Sequence, residues 1–489
     1  MNGARLRAGY LPPGAADAVQ WQLLPFEAHG RRLEVEVPLL TEAQMRALAR
    51  QVRQAARERL RPLPVTQIVE VLDRVVARLL DAADPVRRQL DDLLPVVTGD
   101  DPELLRLGLS SYLQTFRAPQ LHRFVAQDFA NPKVLDGFQP AVKGGAIRAF
   151  GPSLLAHHWA GNVPGLPLWS LACGLLVKAG NIGKLPSAEP VFASLFAQLL
   201  AEVAPALADC LAIVWWKGGD GGAGTVLAQE ADTVLAYGGN DTLVQLRNQL
   251  PASTRFLGYG HKLGLALVGR EALDSQRGPA AARRAARDLV RHEQQGCYSP
   301  HRLYVERGGA IKPRAFARYL SGELSQLQRR HPRRRLTLEE SASVAAWRQS
   351  AEWQLLGPAG ELLGDDASQW SVAFSDEMRP VAPTAGHRCV LVCAVDALED
   401  VAPLLEPQSP FLQTVGLATT PERLYRLAEL LGGVGVTRIA PLGAMTRPEA
   451  GWHHDGRFNL ADLVHVVEIE QAAEQAADRL APYAQEGGE

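Results

Sequence analysis

Through residues 41–125 apolar positions recur every three or four residues, as at Ile68, Val71, Leu72, Val75, Val76 and Leu79, with charged residues between them. That period gathers the apolar side chains on one helical stripe, so the stretch predicts an amphipathic helical layer. From about 144 to 270 the pattern becomes short apolar runs separated by glycine-rich turns and helical stretches, which predicts βαβ units around a parallel sheet. Strands are expected at 182–184, 211–216, 233–237, 255–257 and 265–268, the first four forming one nucleotide-binding layer. A helix over 280–293 leads to Cys297, and a strand over 303–306 follows. A second α/β unit therefore begins near residue 266.

Residues 149–177 contain no Asp, Glu, Lys or Arg, a length that could span a bilayer. Pro152, His157, His158, Asn162, Pro164 and Pro167 interrupt the run and would leave polar groups unpaired in lipid, so it reads as a buried loop and helix. A formal charge of −2 over 489 residues gives no basic field, which argues against a nucleic-acid partner. The five cysteines, Cys173, Cys210, Cys297, Cys389 and Cys393, show no CxxC spacing, so neither a disulfide framework nor a structural zinc site is expected. With Arg5, Arg7 and two prolines near the start, no apolar signal segment is expected either, and the reading is a cytoplasmic protein.

Cys297 sits in HEQQGCYSP, between a predicted helix and a predicted strand, where a turn exposes a side chain. Its thiolate would attack carbonyls and thioesters well; the alternative is an ordinary turn cysteine. The other four cysteines fall in apolar runs and read as small core residues. Asn162, in AGNVPG, is either a local cap or a donor aimed at a developing oxyanion. In YGGND the Gly238-Gly239 pair joins a strand to a helix, which suits a tight turn or a diphosphate cradle at a helix N-terminus. The run 218–224 also follows a strand, but Asp220 opposes an anion there and a flexible loop is expected. The basic stretch QRRHPRRR, 328–335, reads as a solvated surface segment, with contact to the phosphates of a CoA-type substrate as its functional alternative.

Taken in order, these pieces resemble the aldehyde dehydrogenase superfamily and, within it, the long-chain acyl-thioester reductases of the bacterial bioluminescence type. AGNVPG resembles the oxyanion loop, AGNIGKLPSAEP the ribose-binding strand and lysine, YGGND the phosphate turn, GYGHK the entry to the catalytic domain, and QQGC followed by HRLYV the nucleophile and its next strand. The C-terminal run from Pro441, including Trp452, His453, His454, Asp455 and Gly456, looks like the signature of the acyl reductase branch. Its His/His/Asp cluster reads as a hydrogen-bonded turn, and no metal site is expected.

The resemblance implies an α/β, aldehyde dehydrogenase-like fold. The expected organisation is an N-terminal segment (1–40), a helical layer with a Rossmann-like cofactor domain (41–265), an α/β catalytic domain (266–460) and a C-terminal segment (461–489). It implies Cys297 as nucleophile and Asn162 as oxyanion donor, with Lys184, Ser187, Gly238 and Gly239 binding the cofactor. Ser187 stands where many NAD-preferring relatives carry glutamate, so NADPH is expected, with NADH as the alternative. The hydrolytic base of aldehyde dehydrogenases falls at Gly258, which favours reduction of a fatty acyl-CoA or acyl-protein thioester to the aldehyde. The rivals are an oxidative aldehyde dehydrogenase and a non-redox acyl carrier. A homo-oligomer is implied, with segments near 141–150 and 462–469 as candidate contacts.

Overall fold

The computed structural model describes residues 4–15, 18–219, 221–365 and 367–481. Two parallel sheets organise them. The first has five strands in the order Arg255–Tyr259, Thr233–Tyr237, Leu154–His158, Gly180–Lys184, Leu211–Val214, all parallel. Strands at its centre are buried on both faces, which is why Val234, Ala156 and Ile182 are fully covered. Its first strand in sequence lies in the middle, so chain direction across the sheet reverses between Leu154–His158 and Thr233–Tyr237. Such a switch point opens a crevice at the C-terminal strand ends, where open α/β sheets bind ligands.

The expectation for this layer omitted its central strand. Leu154–His158 lies inside the uncharged run, and its two histidines hid it; His157 is buried because Asn181 Oδ1 lies 3.0 Å from its Nε2. The following helix, Leu166–Leu176, is buried on all sides. Among the described residues no helix is long and apolar enough to cross a membrane.

The second sheet has seven strands in the order Gly360–Leu363, Ser371–Ser375, Cys389–Val395, Pro300–Glu306, Leu263–Val268, Leu412–Ala418, Arg438–Pro441, parallel except at the first pair. The chain crosses from one sheet to the other over residues 260–262. Helices Glu42–Ala55, Val65–Leu80, Pro85–Thr98, Pro102–Leu113 and Ala118–Asp128 form the helical layer, each burying one apolar stripe. Before it, strands Ala4–Arg7, Gln20–Ala28 and Arg31–Leu39 form a three-stranded sheet.

Ala146–Phe150 and His465–Ile469 pair antiparallel with each other, leaving Val466 and Val467 exposed on an edge strand. Within the glycine run 218–224, Gly218 and Gly219 form a turn as a loop would, and only the second part departs from the loop expectation: Gly222–Glu230 is a helix, and Gly224 lies against the Trp216 indole. Asp220 lies outside the described residues.

Candidate active site

The helix before Cys297 ends earlier than the pattern predicted, at Val290. His292, Glu293 and Gln294 then take left-handed backbone angles, with φ of 53°, 50° and 62°. Non-glycine residues rarely adopt that region, and three in a row persist only where their surroundings hold them. Arg388, fully buried, donates to both Glu293 oxygens at 2.9 and 2.6 Å and to His331 O at 2.9 Å. The Gln294 amide donates to Pro300 O and Cys389 O, and its Oε1 accepts from Cys389 N. These bonds pin the turn to the two central strands of the seven-stranded sheet and leave Cys297 partly open at its head.

The segment 328–335 contributes to this brace, which corrects the reading of a solvated stretch. His331 is buried, with Nδ1 2.9 Å from Asp101 Oδ1; Arg333 donates to His387 O, and Arg334 pairs with Glu340. Arg329, Arg330 and Arg335 remain exposed. Charge density alone did not reveal that half of these groups face inward.

Cys297 opens into a cavity of about 830 Å³ that Asn162, Gly238 and Gly239 also line. One wall is aromatic: Tyr259 stacks on His454 at 4.4 Å and on Tyr237 at 5.1 Å, with Trp169 and Trp452 against the same imidazole. Burial holds the His454 pKa down to about 4, so the ring is neutral and acts as an apolar plate. Gln413 Nε2 donates to Cys297 Sγ at 3.3 Å and to Asp455 Oδ1 at 2.6 Å. Burial pushes the Cys297 thiol up to about 11, the Gln413 bond pulls it down, Asp455 raises it and Arg438 lowers it. The sulfur is therefore a protonated thiol at rest, with a donor already placed for its thiolate.

The Trp452–Gly456 signature, given no role from sequence, thus supplies the aromatic plate and the carboxylate that orients Gln413. Gln413 itself was missed. The available signal was one amide inside the apolar run of Leu412–Ala418, since a buried polar side chain is costly without a partner. Among the described residues no group of three His, Cys, Asp or Glu could hold a metal ion.

Asn162 Nδ2 donates to Gln295 O at 2.8 Å, tying the AGNVPG loop to the turn that carries Cys297 and leaving its second amide hydrogen for another acceptor. Lys184 and Ser187 do not line this cavity; they sit at the C-terminal edge of the five-stranded sheet. Lys184 Nζ lies over the Trp216 ring at 5.5 Å, and among the described residues it has no carboxylate partner. Burial lowers its pKa. The Ser187 hydroxyl accepts from Trp215 Nε1 at 3.1 Å, leaving its own O–H free to donate. Gly239 caps helix Asn240–Asn248, with open space where a Cβ would stand. An uncompensated amine, a free hydroxyl and a bare helix N-terminus at the switch point fit a dinucleotide. Gly258 lies in strand Arg255–Tyr259 without a side chain, and among the described lining residues Glu449 is the sole carboxylate.

Solved structures share this fold. Aldehyde dehydrogenase 21 from Physcomitrella patens superposes with a TM-score of 0.70 at 11% identity, covering 96% of this chain and 99% of that one. An indole-3-acetaldehyde dehydrogenase complexed with NAD+ gives 0.70 at 15% identity, covering 96% of each chain. At such identities the likeness establishes the aldehyde dehydrogenase fold, of α/β class. Among curated proteins, the long-chain acyl-protein thioester reductase of Photorhabdus luminescens is 25% identical over 364 residues, covering 74% of this chain and 72% of the relative. That of Aliivibrio fischeri is 24% identical over 420 residues, covering 84% and 83%. The family model described as acyl-CoA reductase (LuxC) matches residues 60–466. Matched over most of its length, the chain belongs to the acyl-CoA reductase (LuxC) family.

Proposed function

We propose that this protein reduces a long-chain fatty acyl thioester to the fatty aldehyde through an acyl-enzyme on Cys297, with NADPH as the reductant. The observation that carries the reading is a single cavity holding both the Cys297 thiol and the Gly238-Gly239 turn of the dinucleotide crevice. Lys184 and Ser187 would hold the adenosine ribose, and the absence of an acidic side chain at Ser187 favours a 2′-phosphate, hence NADPH over NADH. The two glycines would admit the diphosphate.

When bound, the nicotinamide supplies a hydride to the acyl carbon. The protein's own groups do the rest. Cys297 Sγ attacks the thioester carbon and the bond to the carrier sulfur breaks; the thiol proton leaves with the carrier as its free thiol. The second hydrogen of the Asn162 amide and the Cys297 backbone N–H serve the oxyanion, where a fixed donor is worth about 3 kcal/mol of barrier. After reduction, the carbon–sulfur bond of the thiohemiacetal breaks, releasing aldehyde, and Gln413 steadies the departing thiolate. Gly258 provides no base to activate water, so the acyl-enzyme is spared hydrolysis, against the oxidative reading to an acid.

The exposed edge strand His465–Ile469 supports association with a second copy of the chain. A soluble, cytoplasmic enzyme is consistent with the described helices.

The test mixes purified protein with a long-chain acyl-CoA or acyl-protein and NADPH, following NADPH loss while trapping aldehyde. Aldehyde formation that disappears in Cys297→Ala is the expected result. NADPH binding with no reduction of either donor would overturn the assignment.

A further inference from the structure

The cavity lining is strongly cationic in a chain whose overall charge is −2. Among the described lining residues Arg123, Lys262, Arg291 and Arg447 face the lone carboxylate of Glu449. The lining histidines do not alter this balance, because burial keeps His292, His301 and His454 neutral, with pKa values of about 3 to 4, and lowers that of His261 as well. Lys262 has a partner in Asp455 at 3.9 Å. The arginines do not: among the described residues Arg123 and Arg291 make no side-chain hydrogen bond or ion pair, and Arg447 makes one long bond to Gly443 O at 3.4 Å.

Arg291 is the informative one. It is half-buried, and the acid nearest in its electrostatics, Asp288, is already spent accepting from Gly443 N and Met445 N. Burial and the neighbouring Arg447 both disfavour its charge. Two such groups elsewhere are neutralised by carboxylates, Arg388 by Glu293 and Arg423 by Glu271, Glu306 and Glu399, whereas Arg302 and Arg438 have neutral hydrogen-bond partners. Arg291 is half-buried beside Arg447, which like Arg123 is exposed to solvent, and an anion bound between them would offset both the desolvation of Arg291 and the repulsion.

We propose that Arg291 and Arg447, with Arg123 at the rim, form a phosphate subsite in the Cys297 cavity that receives the phosphoester of a pantetheine thioester. The proposal rests on the acyl-reductase reading above. The arginines come from the end of helix Arg277–Val290, the loop after strand Arg438–Pro441 and helix Ala118–Asp128. That loop lies against the last helix at Gly451, beside Phe124. None belongs to the five-stranded sheet, whose edge carries Lys184 and Ser187, so the arginines are distinct from the proposed ribose contacts, while the Gly238-Gly239 turn lines the same cavity. A fatty chain brings no charge of its own. The anion that arrives with a thioester is the carrier's phosphate, present in both CoA and a phosphopantetheinylated carrier protein.

The test compares donors bearing one acyl chain: acyl-CoA, acyl-carrier protein and the phosphate-free N-acetylcysteamine thioester. In the wild type, kcat/KM for the phosphorylated donors should exceed that for the phosphate-free one by about a hundredfold, and Arg291→Gln or Arg447→Gln should each cut that ratio about tenfold through KM. A higher value for acyl-carrier protein than for acyl-CoA, with the same arginine dependence, would identify the carrier protein as the source. Equal use of phosphorylated and phosphate-free donors would overturn the subsite and favour a thioester presented without phosphate. So would variants that weaken NADPH instead. Calorimetric binding of CoA alone separates the two readings: binding that weakens in both variants supports the subsite even if no donor is reduced, and no CoA binding by the wild type overturns it.

Discussion

The two turns that meet in the cavity are built in opposite ways. The turn that carries Cys297, 291–300, is held in a costly left-handed path by a buried ion pair and by Gln294, whose amide is bonded at both ends. The Gly238-Gly239 turn keeps two backbone bonds, from Gly238 N to Tyr259 O at 3.2 Å and from Leu243 N to Gly239 O at 3.1 Å, no side chain among the described residues braces it, and it leads into helix Asn240–Asn248, which buries no residue. The difference fits the proposed roles. On that proposal a sulfur that attacks, holds and releases a carbon needs one position, whereas a dinucleotide exchanged every turnover needs an open surface of backbone N–H groups.

Breaking the brace should have the largest effect. Arg388→Ala leaves Glu293 buried without its partner, and removing one member of a buried pair costs about 3–5 kcal/mol. Urea unfolding should show that loss, and residual folded protein should have little reductase activity. A stability change within about 0.5 kcal/mol, the range of an ordinary surface substitution, would mean the turn holds itself.

A smaller effect is expected at the sulfur. Gln413→Leu removes the donor that favours the thiolate, and a bond to a charged group is worth about 1.5–3 kcal/mol, so kcat/KM should fall roughly ten- to a hundredfold. The pH dependence carries the sign. With the thiol pKa raised to about 11, the thiolate fraction and alkylation by iodoacetamide should climb about tenfold per pH unit from neutrality upward. In Gln413→Leu the same curve should move to higher pH.

The mildest change is Gly239→Ala. Gly239 has open space around it and an ordinary φ of −64°, so stability should stay within about 0.5 kcal/mol of wild type. KM for NADPH should rise several-fold, because a Cβ hinders close approach of the diphosphate, while single-turnover acylation of Cys297 should be unaffected. Equal damage to acylation would erase the contrast between the turns.

How much of this was legible in the sequence depended on distance along the chain. Periodicity exposed the helical layer, and local turn chemistry singled out Cys297 and Gly238-Gly239, because those signals lie within a few residues. The strand Leu154–His158 was hidden because its histidines read as polar until a neighbouring strand supplied Asn181. The Glu293–Arg388 pair and the Gln413–Asp455 contact join residues 95 and 42 positions apart, and no local pattern announces such partners. The arginines of 328–335 misled for the same reason: their charge was visible, but not the carbonyls and carboxylates they serve.

The most direct measurement is the intact mass of the protein after mixing with a long-chain acyl thioester in the absence of nucleotide, followed by an NADPH chase. The account predicts one acyl adduct per chain, located on Cys297, absent from Cys297→Ala and discharged as aldehyde on the chase. An adduct on another residue, or aldehyde produced by Cys297→Ala, would contradict it.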